Sequence, residues 1–239
     1  MKKNESPVIA VLLAGGYGLR MHSSRPKQFI EMDGESILLH TMRAFERHPL
    51  VNEIYVVCAP EWSTYVQKQA TIGHVAKFRQ TMVSGVTSHD SLINAIRGLE
   101  DAHTEDETIV LVHESVRPFL SHEIITDNIL TCREQGNAVT AIYSHESYIQ
   151  MENGTKVQGY IPREQLMRAQ TPITFRMRDL KKIARLAEEK NIGESQSLFT
   201  LVNQIGWNPL HIIEGNPLNF KITYPQDVEI YNRLRTLQD

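Results

Sequence analysis

The apolar run Val8-Ile9-Ala10-Val11-Leu12 passes without a break into Leu13-Ala14-Gly15-Gly16-Tyr17-Gly18-Leu19-Arg20-Met21. No other stretch restricts the possible folds of this chain as much. A short continuous apolar segment reads as a strand buried on both faces, which belongs in a parallel sheet covered by helices. Gly15, Gly16 and Gly18 then let the backbone turn sharply and approach a ligand with no Cβ in the way. Their N–H groups can wrap phosphate oxygens. Arg20 adds a forked cation, and Lys27, in Pro26-Lys27-Gln28, adds a point charge. Glycines alone would be met by a purely structural turn, but cations placed directly after them favour a polyphosphate site. The dinucleotide fingerprint fails, because Met21 stands where its third glycine belongs, and the Walker loop is absent.

Downstream, apolar segments alternate with helical patterns. Helices are expected over Ile37–Arg47, Trp62–Ile72, Ser91–Leu99, Ile124–Glu134, Asp179–Lys190, Leu198–Ile205 and Pro225–Arg235. Strands are expected at Ile54–Ala59, Thr81–Val83, Thr108–Val112, Ala138–Ile142, His211–Ile213 and Phe220–Ile222. This order predicts an α/β, Rossmann-like, mostly parallel sheet with helices on both faces. Between Ser144 and Met167 the chain turns polar and irregular around Asn153-Gly154, a strong hairpin signal. A hairpin there leaves the sheet as a protruding arm suited to dimerisation or to covering a site. The absence of repeats and linkers predicts a single domain, 1–239, with the arm at about 144–167.

The 239 residues carry a net charge of −3, so no global basic field favours nucleic acid or an anionic membrane. The two cysteines, Cys58 and Cys132, lie in apolar segments without metal-ligand spacing and read as buried free thiols in a reducing compartment. The polar N-terminal segment and the short strand after it suit neither a signal peptide nor a membrane span. The expectation is a cytoplasmic protein.

Further residues can carry chemistry. Ser84-Gly85-Val86-Thr87-Ser88-His89-Asp90-Ser91 runs from a glycine turn into a helix start. It suits a base or phosphate contact at Gly85 and Ser91, or Asp90 or Ser91 simply caps the helix. Glu114, at the carboxyl end of a buried strand, sits where open α/β sheets bind ligands; the alternative is a solvated acid. Arg117 reads as a loop support or an acid's partner, and His113 as structural. Lys221, between Phe220 and Ile222, is costly in an apolar strand unless an anion meets it. Asp227 reads as a helix cap or first-turn acid.

These strings, together with Ile161-Pro162-Arg163 and Gln170-Thr171-Pro172, resemble nucleoside-diphosphate-sugar pyrophosphorylases. Within that group they resemble the cytidylyltransferases acting on 2-C-methyl-D-erythritol 4-phosphate or D-ribitol 5-phosphate. The resemblance implies transfer of CMP from CTP to a polyol phosphate, with Mg²⁺ as cofactor and a homodimer formed through the arm. It assigns Leu13, Ala14, Gly15, Gly16, Gly18, Gly85 and Ser91 to the nucleotide, and Arg20, Lys27 and Lys221 to catalysis. Glu114, where the family has aspartate, would hold the metal. Arg163, Thr171 and Ser147 would face the acceptor, Arg163 across the dimer. The chain departs from the family at Ser88, which replaces an arginine, and at Leu218, where methylerythritol-type members carry an aspartate. It departs again at Gln196-Ser197, where many members have Thr-Asp. Ser-Val-Arg-Pro-Phe looks more like the ribitol phosphate branch. A related nucleotidyltransferase with another substrate, or a nucleotide-binding homologue without catalysis, would share most of these features.

Overall fold

The computed structural model describes residues 6–16 and 25–236. In chain order it comprises β1 (Val8–Leu13), the short pair β2 (Glu31–Met32) and β3 (Glu35–Ser36), α1 (Ile37–Glu46), β4 (Glu53–Cys58) and α2 (Ser63–Ile72). Then come β5 (Phe78–Val83), α3 (Ser88–Asp101), β6 (Ile109–Glu114), α4 (His122–Gln135) and β7 (Asn137–Tyr143). The second half holds β8 (Tyr148–Glu152), β9 (Lys156–Ile161), β10 (Met167–Arg176), α5 (Met177–Glu189), α6 (Leu198–Gln204), β11 (Ile212–Glu214) and α7 (Pro225–Arg235).

Seven strands form the central sheet in the order β11-β7-β10-β6-β1-β4-β5. β1 pairs parallel with both β4 and β6, β4 with β5, and β11 with β7. β10 is antiparallel to both of its neighbours, β6 and β7. It is therefore the one reversed strand of the sheet. The apolar run of β1 is explained by burial on both faces. Val8, Ala10 and Leu12 pack in a cluster with α1, α2 and α4, whereas Ile9 and Val11 pack with α3, α5 and α6. A smaller cluster of Ile37, Val116, Phe119, Ile222 and Tyr231 seats α7 beside the sheet.

The expected α/β sheet with two helical layers is present, and most element ends shift by no more than a few residues. β5 is longer than the expected Thr81–Val83. One expected strand is absent: Phe220–Ile222 is extended loop, and Ile222 packs under α7 instead of in the sheet. β10 was not marked by periodicity. Its first residues are exposed while the rest are buried between two neighbours, so no alternation shows.

The arm is β8 paired with β9 around Asn153 and Gly154, both at positive φ (49° and 79°), as a tight hairpin turn requires. Ile149 pairs with Tyr160 and Met151 with Val157, across a register shift that puts these four side chains on one face. All four are exposed. Cys58 and Cys132 are buried and free, and burial pushes their thiols up to about 11 and about 12. Among the described residues, no helix is long and apolar enough to cross a membrane.

Candidate functional site

Chain direction reverses its march across the sheet at β1: β4 and β5 lie on one side and β6 on the other. Such a switch point leaves a crevice beyond the carboxyl ends of the strands. A cleft of about 430 Å³ opens there, lined by the ends of β1 and β6, the start of α3 and the loop carrying Lys221.

The glycine turn forms one wall. A Cβ on Gly15 would lie 2.5 Å from the Ser84 Cβ and 3.2 Å from the Ser91 hydroxyl, so the turn packs too closely on its neighbour for any larger residue. At Gly16, by contrast, no described residue lies within 4 Å of where a Cβ would stand. Gln28 braces the turn by donating to the carbonyls of Ala14 (2.6 Å) and Gly16 (2.9 Å). Lys27, nearly buried, lines the cleft and donates to the Ile222 carbonyl at 2.6 Å. Gly18 and Arg20 lie outside the described residues.

The second wall is the Gly85 turn leading into α3. A Cβ there would meet the Asp90 side chain at 2.1 Å. The cap of α3 is neither Asp90 nor Ser91. Thr87 caps it, in a reciprocal box with Asp90 at the third helical position. The Ser91 hydroxyl instead accepts from the Gly85 N–H (3.0 Å) and donates to the Thr87 carbonyl (2.9 Å), binding turn to helix. The helix start, with Thr87 and Ser88, opens into the cleft and favours an anion there.

Charged chemistry concentrates at the end of β6. Glu114 is the acid among the described cleft-lining residues, against Lys27 and Lys221 as cations. Its Oε2 accepts from Arg117 Nε at 2.6 Å, and its Oε1 accepts from Lys221. Burial alone would raise the Glu114 carboxyl. Arg117 and then Lys221 more than offset that and hold it down at about 2. Arg117 therefore both pairs the acid and supports a loop, since its Nη1 donates to the Asn219 carbonyl at 2.8 Å. Lys221 is not a lysine inside a strand; its ammonium meets the anion that the energetics demand.

Thr171 and His113 support this corner. The Arg117 carbonyl can only accept, so His113 Nε2 carries the proton and donates to it (3.2 Å). Nδ1 then accepts from the Thr171 hydroxyl (3.0 Å), whose oxygen accepts the Glu114 N–H (3.1 Å). Burial lowers the His113 pKa to about 4 and keeps the ring neutral. Among residues not assigned from sequence, Gln28, His113 and Ser115 prove to shape the site. The Ser115 hydroxyl donates to the Leu13 carbonyl at 2.8 Å, tying β1 to the turn after β6. The Pro-Lys-Gln string was the available signal for Gln28.

Other expected positions fall elsewhere. Ser147 and Arg163 are exposed at the arm and do not line the cleft of their own chain, and Arg163 pairs only loosely with Glu164 at 3.5 Å. Leu218 is exposed and outside the cleft, whereas Gln196 and Ser197 line it. Asp227 accepts from the backbone N–H groups of Thr223 (2.7 Å) and Tyr224 (2.8 Å), as a first-turn acid does.

A glycine turn, a helix start and two lysines around one carboxylate lie together at the switch point of a doubly wound sheet, an arrangement suited to phosphate groups. The family model of IspD, 2-C-methyl-D-erythritol 4-phosphate cytidylyltransferase, matches residues 8–234. The chain belongs to this cytidylyltransferase family. It is 31% identical over 227 residues to a ribitol-5-phosphate cytidylyltransferase of Streptococcus agalactiae, covering 95% of this chain and 94% of that one. It is 32% identical over 227 residues to a 2-C-methyl-D-erythritol 4-phosphate cytidylyltransferase of Alkaliphilus metalliredigens, covering 94% and 91%. The fold matches the crystal structure of 4-diphosphocytidyl-2C-methyl-D-erythritol synthase from Anaerococcus prevotii. There the TM-score is 0.79 at 22% identity, over 99% of this chain and 98% of that one.

Proposed function

We propose that this chain transfers CMP from CTP to ribitol 5-phosphate, releasing pyrophosphate, and that it does so as a cytoplasmic homodimer with Mg²⁺. The observation that carries the reading is the cleft itself: Lys27 and Lys221 converge with the Gly15–Gly16 turn and the α3 start around a single acid. An acceptor phosphate oxygen attacks the α-phosphorus and the bond to pyrophosphate breaks, with no covalent enzyme intermediate. Catalysis then rests on positioning and charge stabilisation. The attacking phosphate is already ionised, so no general base is needed. The buried His113, bonded at both ring nitrogens, is consistent with that.

In this reading the Gly15, Gly16 and Gly18 turn cradles the triphosphate, with Leu13, Ala14, Gly85 and Ser91 shaping the nucleotide side. Arg20 and Lys27 stabilise charge on the leaving pyrophosphate. Lys221 serves the reacting phosphates, and Thr171 borders the acceptor. Among the described residues no group of three or more His, Cys, Asp or Glu could cage an ion. The donor set fits Mg²⁺ nonetheless, because that ion is commonly held by one carboxylate plus substrate phosphates and water. Glu114 would hold it, and the bound ion would supply charge neutralisation at the phosphates.

The apolar arm face of Ile149, Met151, Val157 and Tyr160 supports pairing with a second copy. Exchange of arms would bring Ser147 and Arg163 of the partner subunit to the acceptor. Ribitol 5-phosphate is favoured by Leu218, which leaves no second acid beside Asn219, and by the similarity to the streptococcal relative. The buried free thiols support a reducing compartment.

The test is pyrophosphate release with Mg²⁺ and CTP, comparing ribitol 5-phosphate with 2-C-methyl-D-erythritol 4-phosphate. Preferential turnover of the ribitol ester is expected. Preference for the methylerythritol ester overturns the acceptor, and preference for another nucleoside triphosphate overturns the donor. CTP binding without release from either acceptor would favour a catalytically silent homologue.

A further inference from the structure

Both oxygens of Glu114 are engaged, but the two cations holding them are not equivalent. Arg117 is fixed: its side chain is only 11% exposed, and it also bonds the Asn219 carbonyl. Lys221 is 38% exposed and lines the open cleft. Its backbone neighbour is pinned twice, since the Ile222 carbonyl accepts from Lys27 and the Ile222 N–H donates to Val116 at 2.9 Å. Among the described contacts, the Lys221 ammonium is held by Glu114 alone. Glu114 is itself anchored through its N–H to Thr171 and through Arg117.

From this asymmetry we infer that Lys221–Glu114 is an exchangeable contact. When the triphosphate enters, the Lys221 ammonium transfers to phosphate oxygens, and the vacated Glu114 Oε1 becomes the protein's ligand for the divalent cation. The inference rests on the nucleotidyl-transfer reading and adds an order to it. Before nucleotide arrives, Glu114 is covered and the protein binds the cation poorly. Once Lys221 has left, an uncompensated carboxylate faces the triphosphate, and like charges demand a cation between them. Nucleotide and cation affinities are therefore coupled, each raising the other by the same factor. Covering Glu114 until then also keeps the nucleotide-free site from being filled by a cation alone.

Calorimetric titration of CTP, with Mg²⁺ and with EDTA, reads this coupling directly. In the wild type Mg²⁺ should tighten CTP binding by about tenfold or more. In Glu114→Gln the ratio should shrink to about threefold or less, chiefly because metal-free CTP binds more tightly once the repelling charge is gone. A wild-type ratio retained in Glu114→Gln, or weaker metal-free binding by that variant, overturns the exchange. A second arm needs neither Glu114→Gln nor nucleotide. Lys221→Met should bind Mn²⁺, measured by electron paramagnetic resonance, about tenfold more tightly than the wild type. Equal Mn²⁺ binding by the two proteins also overturns it. A wild type that binds no CTP under either condition sinks the nucleotidyl-transfer reading instead, and the Mn²⁺ comparison still judges the exchange.

Discussion

Glu114→Gln also makes a sharp prediction about stability against pH. Arg117 and Lys221 lower the Glu114 carboxyl from 4.5 to about 2 in the folded protein, against the opposing effect of burial. Each tenfold change in proton affinity is worth roughly 1.4 kcal/mol, so the ionised carboxylate favours the folded state by about 3 kcal/mol. The sign follows from the depression. The stabilisation is complete above pH 4.5, where the unfolded carboxyl is also ionised, and it is lost as pH falls toward 2. By pH 3 about 2 kcal/mol of it is gone on this linkage. The glutamine variant lacks it at every pH, leaving Arg117 and Lys221 without their anion. Urea unfolding of both proteins between pH 7 and pH 3 measures the gap. Contributions from groups distant from Glu114 are present in both chains and cancel in the difference. The gap should be largest near neutrality and narrow by about 2 kcal/mol toward pH 3. A gap that stays constant refutes the argument, because the charge pairing would then not be what holds Glu114 ionised.

Three further outcomes are expected. Lys27→Ala should keep its fold by circular dichroism while turnover with CTP falls by about 100-fold or more; near-normal turnover would remove Lys27 from catalysis. Gly15→Ala, whose new Cβ would meet Ser84 at 2.5 Å, should cost about 1–3 kcal/mol in urea unfolding and weaken CTP binding. Unchanged binding would mean the turn has room. Replacing both Ile149 and Tyr160 by glutamate should shift the protein toward monomer in sedimentation velocity without lowering its thermal midpoint, since both side chains are exposed. An unchanged sedimentation coefficient would mean the arm face is not the dimer contact.

Much of this is legible in the sequence, for specific reasons. β1 was legible because two-sided burial writes an uninterrupted apolar run, and the arm because Asn153-Gly154 supplies the two positive φ angles of a tight hairpin. Glu114 and Lys221 were legible as chemistry, but their pairing was not, since a contact across 107 positions leaves no local pattern. Lys221 also misled: its apolar flanks suggested a strand, yet Ile222 is buried under α7, where no periodicity announces it. β10 escaped for the opposite reason. Its buried Gln170, Thr171 and Thr174 look like loop residues, and only long-range partners such as Asn128, Asn219 and His113 satisfy them. The cap of α3 is hard to place from sequence because Thr87, Asp90 and Ser91 are all capping residue types, and the backbone decides among them in favour of Thr87.

The reversal of β10 has a consequence for how this architecture can vary. Running against its neighbours, β10 begins at the end of the sheet where β1 and β6 finish, so the segment between β7 and β10 emerges at the rim of the cleft. Met167 opens β10, and four residues on, roughly 13 Å at strand rise, Thr171 bonds the backbone of Glu114. Sequence added or exchanged between β7 and β10 thus remodels the mouth of the site while the buried layers stay as they are, and lengthening such an excursion costs little chain entropy. A lineage with this topology can try new guests at its doorway without rebuilding the house.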